Sequence, residues 1–169
     1  MLAPGDERTG WLGQGGAVPR GYLGDAAKTA RTFPVVDGVR YAVAGDRARF
    51  GPDGSLELLG RDSVTINSGG EKIFAEEVEQ AIKSHPDVDD AIVVGRPSER
   101  WGNEVVAVVQ LRASVAGGGP SDDDLLEAAG RHVARYKLPK VVVRVDRVQR
   151  SPSGKADYRW AKDVASSAP

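Results

Sequence analysis

The chain has 169 residues, the size of one ordinary domain or of a smaller domain with an appendage. Its 23 basic and 24 acidic side chains leave a formal net charge of −1, so no overall field attracts nucleic acid or an anionic membrane. The absence of cysteine excludes disulfides, thiolate metal ligands and a cysteine nucleophile, and two histidines are too few for a histidine-built zinc site. The N-terminus lacks a signal-peptide core, and no apolar run approaches the ~18 residues of a membrane span, which indicates a cytoplasmic protein.

The first 45 residues are glycine-rich and carry only short apolar runs, which is typical of strands and turns that belong to a larger sheet. Within them, residues 25–33 are predicted to form one short helix that Asp25 caps and Pro34 ends. Residues 49–58 then predict a hairpin around the Gly51-Pro52-Asp53-Gly54 turn.

Residues 60–80 combine an ionic pair, two consecutive glycines and a patterned helix. A strand is predicted at 63–67 and a loop at 68–70, where paired glycines allow a ligand to approach the backbone closely. Apolar residues spaced at i, i+4, i+7 and i+8 from Phe74 predict a helix that His85-Pro86 ends.

The rest of the chain predicts three strands and two helices. The strands are 88–94, which Gly95-Arg96-Pro97 should end, 104–111 and 141–145. Ser121 and Asp124 predict a capping box for a helix that runs to about 137–139 with His132 and Tyr136 on its packed face, and a last helix is expected at 156–164. The order after residue 62 is β, α, β, β, α, β, α, an α+β pattern, and the composition changes at a boundary placed at 61–64.

Two groups of polar residues are candidate sites. Lys155 follows Ser153 and Gly154 on a loop, from which a lysine can bring its charge to a phosphate or carboxylate; Gln149 and Ala156 exclude a nucleotide-binding loop of the GxxxxGK[ST] type. Asp46 and Arg61 together offer an acceptor and a donor fork for ribose hydroxyls. Taken alone, each of these residues is also consistent with a solvated surface side chain or a salt bridge.

Four motifs occur in a fixed order along the chain. They are Gly45-Asp46; Gly60-Arg61 with Asn67-Ser68-Gly69-Gly70-Glu71-Lys72-Ile73 and Glu76-Glu77-Val78-Glu79; Tyr136-Lys137-Leu138-Pro139; and Ser153-Gly154-Lys155. In this order they resemble the adenylate-forming superfamily, and within it the fatty-acid and related acyl-CoA synthetases. The resemblance covers nearly the whole chain, although Ala44 and Tyr158 stand where that family usually has a threonine and a basic residue.

The resemblance implies an α+β fold: a small, mobile C-terminal lid domain at 65–169 with a three-stranded sheet plus hairpin flanked by helices. Residues 1–60 would be a β-rich remnant of the large N-terminal domain, and 61–64 a hinge with Asp62 and Ser63 at the pivot. The implied reaction uses ATP, Mg²⁺ and coenzyme A. A hydrophobic carboxylate attacks the α-phosphate of ATP to give acyl-AMP, and the thiol of coenzyme A then displaces AMP.

The family's site residues carry over onto matching positions. Lys155 would be the catalytic lysine of adenylation, and Asp46 and Arg61 would hold the ribose. Gly69 and Gly70, with Lys72 beside them, would face coenzyme A in the second step. Mg²⁺ would be bound mainly by the large domain, so no metal ligand is predicted here, and this chain alone is expected to be inactive.

Other interpretations stay open at this point. The acyl acceptor could be the phosphopantetheine of a carrier protein, or the chain could be a non-catalytic interaction module that kept the fold. The substrate could be a fatty, sterol-derived or aromatic acid. The intact protein could also be membrane-peripheral. Unpaired strands in residues 1–45 could also pair with a second copy of the chain.

Overall fold

The computed structural model describes residues 1–6, 8–113 and 119–168. It divides into two compact units, Met1–Ser63 and Val64–Pro169. No helix within these described ranges is long and apolar enough to cross a membrane.

The first unit consists of short elements. They are β1 (Gly10–Trp11), α1 (Ala26–Thr32), β2 (Val35–Val36), β3 (Val39–Arg40), β4 (Asp46–Phe50) and β5 (Leu56–Arg61), followed by a 3-10 turn at Asp62–Val64. Strands β1, β4 and β5 form an antiparallel sheet with β4 in the middle, and β2 pairs with β3 in a separate hairpin.

The predicted helix and hairpin of this unit are both confirmed. The Asp25 carboxylate accepts a hydrogen bond from the backbone N–H of Lys28 at 2.8 Å, which satisfies one of the free donors of the first turn of α1. Strands β4 and β5 are joined by the predicted turn. The buried apolar residues of this unit, among those described, are only Phe33, Ala48 and Leu59.

The second unit has a larger sheet. Its elements are β6 (Thr65–Ser68), β7 (Glu71–Phe74), α2 (Ala75–Ile82), β8 (Val88–Ser98), β9 (Gly102–Leu111), α3 (Asp122–Gly130), a 3-10 turn (Arg135–Lys137), β10 (Val141–Val145) and α4 (Tyr158–Ser167). The sheet order is β10-β9-β8, with β9 parallel to β10 and antiparallel to β8, while β6 and β7 form a hairpin. The predicted α+β arrangement of a three-stranded sheet plus hairpin flanked by helices is confirmed.

Strands β8 and β9 are apolar on both faces because each face is covered by different elements. On one face Ala91, Val93 and alternate residues of β9 pack against α2, α3 and the β6–β7 hairpin. On the other face Ile92, Val94 and the intervening residues of β9 pack against α4. Two apolar clusters, one on each side of the sheet, therefore stabilise this unit.

Strand β7 was missed, since the helix was predicted to begin at Phe74 and residues 71–73 were given no element. Ile73 instead pairs with Ile66 across the hairpin, and both side chains are buried. The predicted strand at 63–67 begins only at Thr65, because residues 62–64 form the 3-10 turn. Tertiary pairing therefore overrides a local helical pattern here.

Strand β8 does not end at residues 95–97, as predicted, but continues to Ser98. Pro97 is tolerated because β8 is an edge strand, and Arg96 is held by an ion pair with Glu104 of the neighbouring strand at 2.8 Å.

The third helix is shorter than predicted. The capping box of Ser121 and Asp124 is present, but α3 ends at Gly130, so His132 and Tyr136 do not lie on it. Glycine is a poor residue for continuing a helix.

The last helix begins at Tyr158 rather than at residue 156, because Asp157 is its N-cap and accepts from the Trp160 N–H at 3.0 Å.

Candidate functional site

Asp46 and Arg61 lie opposite each other on β4 and β5 of the first unit. The Arg61 Nε atom is 3.4 Å from Asp46 Oδ1, and the Arg61 side chain is 54% exposed. The Asp62 backbone N–H donates to the Gly45 carbonyl at 3.0 Å, which continues the pairing one residue beyond the strand. A carboxylate acceptor and a guanidinium donor therefore lie side by side on neighbouring strands.

The two predicted hinge residues lie in the 3-10 turn that follows β5. Asp62 is partly buried, with its carboxylate 3.9 Å from the guanidinium of Arg47, and Ser63 is exposed. The division of the chain into its two units falls between Ser63 and Val64.

We call the β6–β7 hairpin, residues 65–74, the glycine hairpin. The two predicted glycines lie at its tip. Gly69 and Gly70 have φ values of +58° and +87°, in the left-handed region that strongly favours glycine. A Cβ at Gly69 would lie 3.0 Å from Cε3 of Trp101, whereas a Cβ at Gly70 would meet nothing within 4 Å. The tip is thus packed at Gly69 and open at Gly70. Lys72 is exposed on β7 of the same hairpin.

Trp101 is a residue that sequence reasoning missed. Its carbonyl accepts the Gly69 N–H at 2.8 Å, and its side chain remains 37% exposed. The Arg100 guanidinium is 4.7 Å and the Lys140 ammonium 5.9 Å from its ring centroid. An exposed ring with two cations suits a flat, anionic group. The sequence signal is a tryptophan in a polar turn between two apolar strands.

Lys155 lies in a tight loop, residues 150–157, which we call the lysine loop. The Ser151 N–H donates to the Lys155 carbonyl at 2.8 Å, and the Lys155 N–H donates to the Ser151 hydroxyl at 3.1 Å. The Lys155 side chain is exposed, and its ammonium has no hydrogen bond or ion pair with any residue in the described ranges. The loop therefore fixes the lysine backbone and leaves its charge available.

The lysine loop is tied to β8 by Arg150. The guanidinium donates to both carboxylate oxygens of Asp90, at 2.6 and 2.7 Å, and a third N–H donates to the Gly154 carbonyl at 3.2 Å. Burial alone would raise the pKa of Asp90, but the hydrogen bonds and charge of Arg150 outweigh that effect and hold this pKa below its ordinary value.

A second polar contact lies just after the loop. Glu79 of α2 is only 4% exposed, and its carboxylate accepts the Val93 N–H of the edge strand β8 at 3.0 Å. It also makes a side-chain hydrogen bond with Tyr158, the first residue of α4. Burial raises the pKa of the Glu79 carboxyl and, together with that carboxylate, raises the pKa of Tyr158.

The lysine of the Tyr136-Lys137-Leu138-Pro139 motif is a structural residue. Its ammonium lies 2.7 Å from both carboxylate oxygens of Glu77, and its side chain is 13% exposed. This ion pair ties the second 3-10 turn to α2.

The structure brings the predicted residues together in three groups. Asp46 meets Arg61 in the first unit. Gly69, Gly70 and Lys72 share the glycine hairpin, which packs on one face of the large sheet. Lys155 precedes α4, which packs on the opposite face, so it does not join the hairpin group.

The described residues also bear on metal binding. Among 1–6, 8–113 and 119–168 there is no group of three or more histidine, cysteine, aspartate or glutamate side chains arranged to hold a metal ion. The side chains in these ranges therefore do not fit a Mg²⁺ site.

Residues 77–155 match the family model of the AMP-binding enzyme C-terminal domain. The match begins in α2 and ends at Lys155 of the lysine loop.

Two curated relatives are similar over almost the whole chain. The medium-chain acyl-CoA ligase Mig of Mycobacterium avium is 64% identical over 165 residues, which cover 98% of this chain and 30% of that protein. The 3-oxocholest-4-en-26-oate–CoA ligase of Rhodococcus rhodochrous is 50% identical over 162 residues, which cover 96% of this chain and 29% of that protein. The chain therefore spans less than a third of the length of these relatives.

A solved structure shows the same fold. The o-succinylbenzoate CoA synthetase of Bacillus subtilis, in complex with its acyl-adenylate intermediate, has a TM-score of 0.76 at 28% identity. The match covers 96% of this chain and 31% of that one.

Proposed function

We propose that this chain is the C-terminal part of an ATP-dependent acyl-CoA ligase that activates a hydrophobic carboxylate as acyl-AMP and transfers it to coenzyme A. The observation that carries the proposal is the 64% identity to a medium-chain acyl-CoA ligase along 98% of the chain. The arrangement of Lys155, the Asp46–Arg61 pair and the glycine hairpin gives each half-reaction a set of suitable groups.

In the adenylation step, Lys155 offsets the negative charge that builds where the carboxylate attacks the α-phosphate. Its ammonium suits this role because it is exposed and has no carboxylate partner in the part of the chain that the structure describes. A fixed cation at such a point typically contributes a few kcal/mol of transition-state stabilisation. Asp46 and Arg61 hold the ribose hydroxyls through an acceptor and a donor.

In the thioester step, the open tip of the glycine hairpin leaves room for the pantetheine arm. Gly70 provides that room because its missing side chain would meet no other atom within 4 Å. Trp101 with Arg100 and Lys140 offers a stacking surface and positive charge for the nucleotide end of coenzyme A, and Lys72 adds a further cation.

The two units have different proposed origins. Residues 1–60 belong to a large N-terminal domain of the same polypeptide, 61–64 form the hinge with Asp62 and Ser63 at its pivot, and 65–169 form the mobile lid. Exposed apolar side chains in the first unit support this assignment, since such surface is normally covered. These side chains are Met1, Trp11, Tyr22, Leu23, Val35, Val36, Val39, Leu56 and Leu58.

Mg²⁺ and the acyl chain belong to the proposed large domain. In this proposal Mg²⁺ is bound mainly by the large domain. The relatives' names specify medium-chain and sterol-derived acids, and we extend from them only the class of hydrophobic carboxylates.

The proposal is tested with the intact polypeptide that carries this chain. Purified enzyme is supplied with ATP, Mg²⁺, octanoate or a sterol carboxylate, and either free coenzyme A or a phosphopantetheinylated carrier protein. We expect AMP, pyrophosphate and acyl-CoA to form in equal amounts with free coenzyme A. Acyl transfer to the carrier protein alone, or no ATP consumption with any carboxylate, would contradict the proposal.

A further inference from the structure

We propose that Arg150, anchored on Asp90, is the positioning residue that holds the lysine loop in the geometry in which Lys155 acts. The inference rests on the proposed role of Lys155 in adenylation. Its basis is a three-way contact: one guanidinium joins the carboxylate of a sheet strand to the carbonyl of the residue before the lysine.

The contact is specific to an arginine. Both carboxylate oxygens of Asp90 are engaged by separate nitrogens, Nε and Nη2, while Nη1 reaches the Gly154 carbonyl. A guanidinium is planar and has five donors in fixed directions, so it can make these bonds at the same time. A lysine ammonium at the same position is a point charge and could keep the ion pair but not the fork.

The anchor is well suited to fix a loop. Asp90 lies on β8, which pairs along its length with the central strand β9, and the side chains of Asp90 and Arg150 are 20% and 30% exposed. Arg150 also pairs with Ala156 through an isolated antiparallel bridge, so the two ends of the lysine loop are joined by backbone contacts.

The other hydrogen bonds at Lys155 are made with Ser151, inside the loop. Ser151 and Ser153 are exposed serines, for whose hydroxyls water can substitute. Gly154 has a φ of +78°, a value that glycine adopts freely but that alone does not fix the direction of the next residue. The Arg150 bond to the Gly154 carbonyl therefore adds to these bonds a link from the residue before Lys155, through Asp90, to strand β8.

The test compares Arg150→Lys with Arg144→Lys in the intact enzyme. Arg144 is a matched control because it also pairs with a carboxylate, Asp122, and donates to a carbonyl, that of Pro120 at 2.7 Å, but it is on β10. We expect Arg150→Lys to slow acyl-AMP formation about tenfold or more, since small misplacements of a reacting group are costly. Attack of coenzyme A on supplied acyl-AMP should be unchanged, and Arg144→Lys should change neither rate.

A merely structural role would give a different pattern. It would lower both half-reaction rates together, or lower only the melting temperature, and either result would overturn the proposal. An Arg150→Lys enzyme with normal adenylation would overturn it as well.

A double variant separates this inference from the proposed function. If Arg150 acts through Lys155, adding Arg150→Lys to Lys155→Ala should cause no further loss of adenylation. A further tenfold loss would show that Arg150 acts independently and would overturn the inference alone. Normal adenylation by the single Lys155→Ala variant would instead overturn the proposed role of the lysine.

A readout without activity uses the intact polypeptide that carries this chain. Amide hydrogen exchange at Lys155 should become faster in Arg150→Lys, because its N–H bond to Ser151 opens more often, and should stay unchanged in Arg144→Lys. Equal exchange rates in wild type and Arg150→Lys would contradict the positioning role.

Discussion

The glycine hairpin and the lysine loop are held in different ways. Backbone pairing along β6 and β7 fixes the hairpin, and its tip is packed against Trp101. The lysine loop has only an isolated backbone bridge between Arg150 and Ala156, and a side-chain ion pair and an N-cap hold it further. The hairpin packs on one face of the central sheet, and the helix after the loop packs on the other. Groups so separated cannot act together on one reacting centre unless the domain turns, so we assign them to different half-reactions.

The largest expected effect is that of removing the lysine charge. Lys155→Ala should reduce ATP–pyrophosphate exchange by on the order of 10² or more, because a focused cation at the α-phosphate is lost. Conversion of supplied acyl-AMP to acyl-CoA should stay near the wild-type rate. Lys162→Ala, a charge on the exposed side of α4, is the control and should leave both rates unchanged. Normal ATP–pyrophosphate exchange by Lys155→Ala would contradict the assignment of the lysine loop to adenylation.

The second prediction concerns the open tip of the hairpin. Gly70→Leu should reduce thioester formation from supplied acyl-AMP by about 10²-fold, because the side chain fills the path of the pantetheine arm and displaces the thiol. ATP–pyrophosphate exchange should be unchanged. Gly38→Leu controls for backbone strain, since Gly38 also has a positive φ, +78°, and a Cβ there would meet nothing within 4 Å. A similar loss in both variants would point to misfolding rather than to obstruction.

A smaller effect is expected for the ribose pair, which should serve both half-reactions because AMP is present in both. Asp46→Ala should raise the KM for ATP about tenfold, the effect of losing one charged hydrogen bond. It should weaken the use of acyl-AMP similarly. Glu57→Ala, which removes the partner of Arg49 on the same two strands, is the control and should leave the KM unchanged. An effect of Asp46→Ala on only one half-reaction would contradict a shared role.

The smallest predicted effect is on the free energy of unfolding. It concerns Glu79, which makes a hydrogen bond with the first residue of α4. Burial raises the pKa of Glu79 above its ordinary value, so its proton favours the folded state. The associated stability is complete below the unfolded pKa of about 4.5 and is lost as the pH rises through the folded pKa. The free energies of unfolding in urea of wild type and Glu79→Gln should therefore diverge in favour of the variant as the pH rises above about 4.5, at a slope of up to about 1.4 kcal/mol per pH unit. A constant difference would show that this carboxyl titrates normally.

Local patterns in the sequence predicted the parts of the fold that depend on local chemistry. The Asp25 cap, the turn at residues 51–54 and the Ser121–Asp124 capping box depend on neighbouring residues and are all present. Strand β7 was missed because its identity depends on a partner strand, and α3 was drawn too long because apolar residues beyond Gly130 continue the helical spacing.

Ordered motifs predicted the residues of the candidate site. A motif gives residue types, but it does not show which other residues hold them in place. Trp101 was missed because a lone tryptophan in a turn has no pattern, and its contact with Gly69 joins residues 32 positions apart. Arg150 and Asp90 are 60 residues apart, and only the folded chain pairs them. The residues that hold these site residues in place lie far from them in sequence, and only the structure shows that they are in contact.

The central claim, that the two regions serve different half-reactions, is tested most directly by rapid-quench single turnovers. Acyl-AMP formation and its consumption by coenzyme A are followed side by side in wild type, Lys155→Ala and Gly70→Leu intact enzymes. We predict that Lys155→Ala loses only the first rate and Gly70→Leu only the second. Loss of the same rate in both variants would contradict the account.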